Sequence, residues 1–139
     1  MPRRMRRRTF LLAAAASGLS LAWRSVGSWP FSQERLSGSE RLAALLDGEG
    51  ARAVGREYLR AFPAEASRRV LAARVVERLP GGSRALVTAS DGRLRELLVS
   101  AAAADFGDLR IVELQGWVLA RTEARLCALA ALRKDSSPA

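Results

Sequence analysis

The carboxylates best placed for chemistry lie in the last third of the chain. Asp105 and Asp108 stand three positions apart around a predicted loop, and Glu123 opens the last predicted helix. Two carboxylates at this spacing could bind a hard cation through their oxygens. Aspartates beside a loop more often cap helices or stabilise turns, and the helix dipole favours an acid in a first turn. We therefore predict structural roles for all three and no metal site.

The groups that enzymes use most often as nucleophiles and bases are scarce. The chain contains no His, the commonest general base and a frequent metal ligand, and its single cysteine is Cys127. One thiol cannot form an internal disulfide or a thiolate metal site. Cys127 follows Leu126 on an apolar helical face and is predicted to be a packing residue. We predict no catalytic residue, no cofactor and no enzymatic activity.

The elements that would position these residues are mostly helical. Apolar residues recur at helical intervals in five segments, within residues 37–50, 51–63, 64–80, 93–104 and 121–134. Gly55 interrupts the second segment at a cost of up to about 1 kcal/mol relative to Ala, which predicts close approach of another backbone. Asp91 is the predicted cap of the fourth helix. Residues 86–90 are predicted to be extended.

A change of periodicity near residue 110 predicts a β-hairpin. β-rich residues flank Gln115-Gly116, where glycine can adopt positive φ. A lone hairpin is marginal in water, so it must pack on the helices, with Ile111, Trp117 and Leu119 as the expected inward contacts. The predicted fold class is mainly α: a small helical domain of about five helices with a short β-hairpin before the last helix.

The net charge does not indicate a nucleic-acid-binding protein. The chain has 23 basic and 14 acidic residues, and five of the basic residues cluster at its start, within residues 3–8. The remaining 18 basic residues are interleaved with the acids and do not form a stripe, and aromatic residues that could stack on bases are few. We therefore expect no nucleic-acid partner.

The arginine cluster is followed by an apolar run that is typical of an export signal. Residues 10–23 are mostly apolar, which is shorter than the roughly 20 residues needed to span a bilayer. Ser20-Leu21-Ala22 has the small residues that a signal peptidase accepts, so cleavage is expected after Ala22. A buried or amphipathic first helix is the less favoured alternative, because the run has no polar stripe.

Arg7, Arg8, Phe10 and Leu11 form an RRxFL pattern that resembles the core of the twin-arginine export signal. The flanks depart from that signal, since Arg6 and Leu12 replace the usual Ser or Thr and Lys. The resemblance implies folding in the cytoplasm, passage through the twin-arginine translocase, and a periplasmic or extracellular location, with membrane contact only through the signal. A general secretory signal and a retained membrane anchor are the alternatives.

Four regions are predicted along the chain. They are a twin-arginine-type signal peptide over residues 1–22, a flexible leader over 23–38, a helical domain over 39–134 and a disordered tail over 135–139. About 117 residues would remain after cleavage, which suffices for one small domain and not for two.

A second resemblance covers most of the helical domain. A YL-x-x-x-P segment, a DF pair, and a GWVL-x-x-TEARL segment resemble a group of small bacterial proteins with a twin-arginine signal whose role is uncharacterised. The matching residues are Tyr58, Leu59, Pro63, Asp105, Phe106, Gly116, Trp117, Leu119, Thr122 and Glu123. Ala120 stands where Ser would cap the last helix, so a capping box is not expected. The overall plan is also similar to small exported subunits of periplasmic dehydrogenases.

Three functions are compatible with these patterns. The first is a non-catalytic accessory protein or small subunit that docks on a larger periplasmic enzyme, with an oxidoreductase as a candidate class. The second is a free-standing periplasmic structural or ligand-binding protein, and the third is an enzyme with an unfamiliar carboxylate or arginine site. The first predicts an exposed apolar patch, for which we select Trp117 and Leu119; the alternative is that Trp117 seals the hairpin onto the helices.

Overall fold

The computed structural model describes residues 38–46 and 48–133, in which six α-helices and a two-stranded hairpin share a common core. The elements are α1 (Gly38–Ala44), α2 (Glu49–Ala61), α3 (Arg68–Arg78), α4 (Gly82–Thr88), α5 (Asp91–Gly107), β1 (Ile111–Leu114), β2 (Trp117–Ala120) and α6 (Arg121–Ala131). A 3-10 turn, Pro63–Glu65, joins α2 to α3. The predicted fold class, mainly helical with a hairpin before the last helix, is confirmed.

The last helix is the centre of the core. Every residue of α6 from Thr122 to Ala130 is buried, so the helix is enclosed on all sides and not along one stripe. Helix α2 packs along it, and α1, α3 and α5 pack around the rest of its circumference. Polar side chains on this helix therefore require partners inside the protein.

The predicted close approach at Gly55 is confirmed. A Cβ added at Gly55 would lie 2.0 Å from the carbonyl oxygen of Cys127 and 2.9 Å from the backbone nitrogen of Ala128. Only glycine lets the α2 backbone touch the α6 backbone at this crossing. The helical penalty of Gly55 is offset by the packing that this short distance allows.

The hairpin turns at Gln115-Gly116, as predicted, with φ of 50° and 82° at the two residues. This two-residue turn pairs Leu114 with Trp117 and Ile111 with Ala120 in the antiparallel register. One face of the hairpin, with Val112, Leu114 and Leu119 buried, packs on the core. Ile111 belongs to the other face and is 40% exposed, so the prediction that it points inward was wrong.

Residues 86–90 differ from the sequence prediction. Residues 82–88 form helix α4, and Leu86 is its one buried side chain, so the predicted extended piece is incorrect. Gly81 adopts the left-handed conformation with φ of 84° and starts this helix after α3. The guanidinium of Arg41 donates to the carbonyl oxygens of Leu86 and Ala89, which satisfies groups at the end of α4 that a strand assignment ignores.

Two helix starts also need correction. Ser90, and not Asp91, caps α5, because its hydroxyl accepts from the Arg93 backbone N–H at 3.2 Å. Asp91 is the first helical residue, where its charge suits the dipole. Gly50 lies inside α2, which begins at Glu49, although the sequence prediction assigns residue 50 to the end of the preceding segment.

Candidate functional site

Buried polar residues are concentrated around the start of α6. The polar and charged residues that are buried in the described ranges are Asp105, Thr122, Glu123 and Arg125. Three of them belong to the TEARL segment and the fourth to the DF pair. With Glu65, which contacts Arg125, they form what we call the anchor cluster. The cluster is the best candidate for chemistry in the described part of the chain.

Asp105 connects α5 to the first turn of α6. Its Oδ2 accepts from the Thr122 backbone N–H at 2.7 Å and from the Thr122 hydroxyl at 2.6 Å. Its Oδ1 accepts from Arg78 Nε at 3.0 Å. Ala120, the N-cap residue of α6, has no side-chain acceptor, so Asp105 caps the helix from a different element. The predicted capping role is correct in kind, although the helix it caps lies 17 residues further on.

Asp108, the other carboxylate of the predicted loop pair, lies at the surface. It is the C-cap residue of α5, and its Oδ2 accepts from Arg78 Nη2 at 2.6 Å. Arg78 therefore bridges Asp105 and Asp108, and its charge is shared by the two aspartates. In the described residues no group of three or more His, Cys, Asp or Glu side chains has the geometry to hold a metal ion.

Glu65 is held by a bidentate arginine from α6. Arg125 donates to both carboxylate oxygens of Glu65, each at 2.8 Å, and the Tyr58 hydroxyl donates to Oε2 at 2.6 Å. The Arg125 hydrogen bonds lower the pKa of Glu65 to about 2. The 3-10 turn that starts at Pro63 brings this carboxylate under α2. The cation of Arg121 stacks on the Phe62 ring, 4.6 Å from its centroid.

Glu123 is the third helical residue of α6 and is 4% exposed. Its Oε2 accepts from the Ala120 backbone N–H at 3.3 Å. This bond is one half of a capping box; the other half needs a side-chain acceptor at position 120, which alanine lacks. The expected loss of the box is therefore half correct. Burial raises the pKa of the Glu123 carboxyl to about 6.

Cys127 lies where the packing prediction places it. Its side chain is 1% exposed, and its carbonyl faces Gly55. Burial raises the pKa of the thiol to about 12, so the nucleophilic thiolate is strongly disfavoured at neutral pH.

The predicted interface pair is only partly accessible. Leu119 is 1% exposed and belongs to the core, so its side chain is not accessible to a partner on the folded domain. The expected inward contact of Leu119 is confirmed, since it pairs with Val112 on the buried face of the hairpin. Trp117 is half-buried and packs against the core. The remaining selected residues, Arg7, Arg8, Phe10 and Leu11, lie outside the described residues.

Exposed apolar side chains occur just before the hairpin and at its first residue. Leu109 is 80% exposed and Ile111 40% exposed, and we call this pair the hairpin patch. Leu109 occupies the position after the C-cap of α5 with φ of 57°, where glycine is usual. The backbone N–H of Leu109 donates to Phe106 and that of Arg110 to Asp105, the two bonds of a Schellman motif. The helix end thus forces Leu109 into a conformation that disfavours side chains.

Sequence reasoning selected Asp105, Thr122 and Glu123 but missed Glu65 and Arg125. Arg121 and Arg125 are one helical turn apart and so share a face. That spacing is the only local signal, because Glu65 lies 60 residues from Arg125.

What the cluster can do chemically follows from these bonds. Asp105 and Glu65 accept hydrogen bonds on both oxygens, and Glu123 is enclosed. A general acid or base must have a face open toward substrate. The arrangement is well suited to fixing α6 against α2, α3 and α5.

Within the described residues no helix has both the length and the apolar character needed to cross a bilayer. Comparison of the chain with protein-family models, with curated proteins and with solved structures found no match.

Proposed function

We propose that the chain is an exported, non-catalytic accessory protein or small subunit that docks on a larger periplasmic partner, with an oxidoreductase as one candidate class. Delivery through the twin-arginine translocase is part of this proposal and rests on Arg7, Arg8, Phe10 and Leu11. The alternative is a free-standing periplasmic structural or ligand-binding protein.

The anchor cluster favours a scaffold over an enzyme. The acids that an active site would use are engaged in holding α6: Asp105 caps it and Glu65 pairs with Arg125. Removing either acid would leave a buried donor or cation without a partner. Their roles in capping and pairing with α6 therefore explain why Asp105 and Glu65 are present, with no need to assign them a catalytic role.

The observation that carries the docking proposal is Leu109. A left-handed conformation costs an L-residue roughly 1–2 kcal/mol, and Leu109 gains little burial in return because it is 80% exposed. Glycine would remove the conformational cost. The docking proposal assigns the Leu109 side chain, together with the exposed Ile111 two residues further on, to a contact outside the domain.

The edge of β1 lies next to the hairpin patch and can contribute to the same interface. Leu114 and Trp117 flank a two-residue turn, so they form a hydrogen-bonded pair, and the pairs alternate along the hairpin. The backbone N–H and C=O groups of Ile111 and Glu113 consequently point away from β2. In the described part of the chain no other element bonds to them. An open strand edge offers directional bonds to a partner.

The size of the native assembly tests this function. The full-length gene product, carrying a C-terminal tag, is expressed in its own host, and undisrupted periplasmic extract is fractionated by size. We expect the chain to elute in fixed ratio with one larger protein, which mass spectrometry identifies. Elution at the mass of the chain alone would contradict docking and favour the free-standing alternative.

Export is tested separately. Replacing Arg7 and Arg8 by a Lys-Lys pair keeps the charge and removes the twin guanidinium groups that the translocase motif requires. We expect the periplasmic fraction to fall at least about tenfold, with precursor retained in the cytoplasm. The matched control is Arg3 and Arg4 replaced by Lys-Lys, which should export normally. Normal export of the Arg7/Arg8 variant, measured by fractionation and immunoblot, would assign the chain to the general secretory route.

A further inference from the structure

Glu123 is a buried carboxyl that the docking role does not use. It is 4% exposed, and its Oε1 is buried without a hydrogen-bond partner in the described part of the chain. Its Oε2 has a single, long bond, 3.3 Å from the Ala120 backbone nitrogen. A buried carboxylate normally accepts several hydrogen bonds or pairs with a cation. Among the described residues, Glu123 accepts only one hydrogen bond and has no paired cation.

The nearest titratable neighbours of Glu123 do not supply the missing charge. Asp105 on α5 is an acid, and its negative charge disfavours a second one nearby. On α6 itself the Cys127 thiol, one helical turn further on, is neutral at ordinary pH. Arg78 on α3 and Arg110 before β1 direct their guanidinium groups to Asp105.

The charged groups on the other elements around α6 already interact with partners other than Glu123. On α2 and the 3-10 turn, Tyr58 and Glu65 interact with Arg121 and Arg125. On α1, Arg41 donates to helix α4 and pairs with Asp91. The remaining acid of the hairpin, Glu113, is exposed. No basic residue in the described ranges forms an ion pair with Glu123.

We propose that Glu123 is a proton-binding site that links the stability of the junction between the hairpin and α6 to pH. A neutral carboxyl keeps the Ala120 bond and removes the cost of an enclosed, unpaired charge. The domain is then held more tightly in mildly acidic solution than at neutral pH. The site lies where β2 runs directly into α6, so ionisation weakens the support of the strand that carries Trp117.

The direction of the effect follows from where the proton binds. The pKa of Glu123 is raised to about 6 from an ordinary value of 4.5, so the folded domain binds more protons than the unfolded chain between these pH values. The contribution is complete below about pH 4.5 and is lost as the pH rises through about 6. The shift corresponds to a change of about 30-fold in the folding equilibrium. Glu65, with a pKa near 2, acts at lower pH and in the opposite direction.

The test compares Glu123→Gln with the wild-type chain in urea unfolding at pH 4.5 and pH 7.5. Gln is isosteric, cannot ionise, and its Oε1 can still accept from the Ala120 N–H. We expect the wild-type folding equilibrium constant to fall about 15-fold more than that of the variant over this interval, because the unfolded carboxyl is already half ionised at pH 4.5. Glu113→Gln removes an exposed acid from the same hairpin and should reproduce the wild-type profile. A carbon-13 NMR titration of the wild-type Glu123 carboxyl gives its midpoint directly.

Two results would overturn the proposal. One is a Glu123→Gln profile with the same pH dependence as the wild type. The other is an NMR midpoint at or below pH 4.5, which would show a carboxyl that ionises as it does in water. If Glu123→Gln does not fold, the NMR midpoint of the wild-type chain decides alone, with a value near 6 supporting the proposal.

Discussion

Gly55→Ala is expected to destabilise the domain by at least about 3 kcal/mol, because the new methyl group has no space. It would stand 2.0 Å from the Cys127 carbonyl oxygen, and both atoms belong to or are fixed by helix backbones that cannot rotate away. The helices α2 and α6 must separate, which loosens the packing around the buried helix α6. Alanine's better helix propensity recovers only about 1 kcal/mol.

The measurement is the free energy of unfolding in urea, with Gly92→Ala as the matched control. Gly92 lies in α5 with no atom within 4 Å of an added Cβ, so the same substitution should be neutral or slightly stabilising there. Equal stabilities for the two variants would mean that α2 and α6 do not cross at this distance.

Asp105→Ala is expected to cost about 3 kcal/mol or more, since it removes the two carboxylate oxygens that accept three hydrogen bonds. The Thr122 backbone N–H and hydroxyl would both lose their partner inside the protein. Arg78 would keep only Asp108, which is half exposed to solvent. The start of α6 would fray, and the hairpin joined to it would lose its support.

Asp108→Ala separates this effect from the loss of charge near Arg78. Both aspartates accept from the same guanidinium, but Asp108 is 58% exposed at its side chain. An exposed ion pair of this kind contributes about 0–1 kcal/mol. Similar losses for the two variants, measured by thermal and urea unfolding, would contradict the capping role of Asp105.

The sequence predictions were correct where neighbouring residues alone determine the structure. Gly55 was informative because a glycine inside a helix is costly unless a backbone comes close, and the structure has that contact. Gln115-Gly116 was informative because few residues other than glycine tolerate the φ of 82° found there. In both cases one residue type carries its own structural explanation.

The errors arose where a distant residue decides the structure. Leu86-Val87-Thr88 has strand-like composition, yet these residues form the end of a helix. Arg41, 45 residues before Leu86, donates a hydrogen bond to the Leu86 carbonyl oxygen there. Ala120 removed an expected cap, and nothing nearby in sequence indicated that Asp105 supplies it. Which face of the hairpin is buried depends on a one-residue register, so Ile111 was placed inside and Leu109 was not considered.

The residues proposed for the interface changed from Leu119 to Leu109 for the same reason. Leu119 was selected because it is large and apolar, but such a residue is more often core than surface. Leu109 was identified from a conflict between its type and its position. Its φ of 57° and its 80% exposure are visible only in three dimensions.

The most direct test of docking through the hairpin patch is Leu109→Gly, read for both stability and partner recovery. Glycine fits the left-handed position, so the free energy of unfolding should be unchanged or raised by up to about 1 kcal/mol. We predict that the partner co-purified from periplasmic extract falls at least about tenfold, equivalent to about 1.4 kcal/mol of binding. Val87→Ala, which trims an equally exposed residue of α4, should retain it. Full recovery of the partner with Leu109→Gly at undiminished stability would contradict the account.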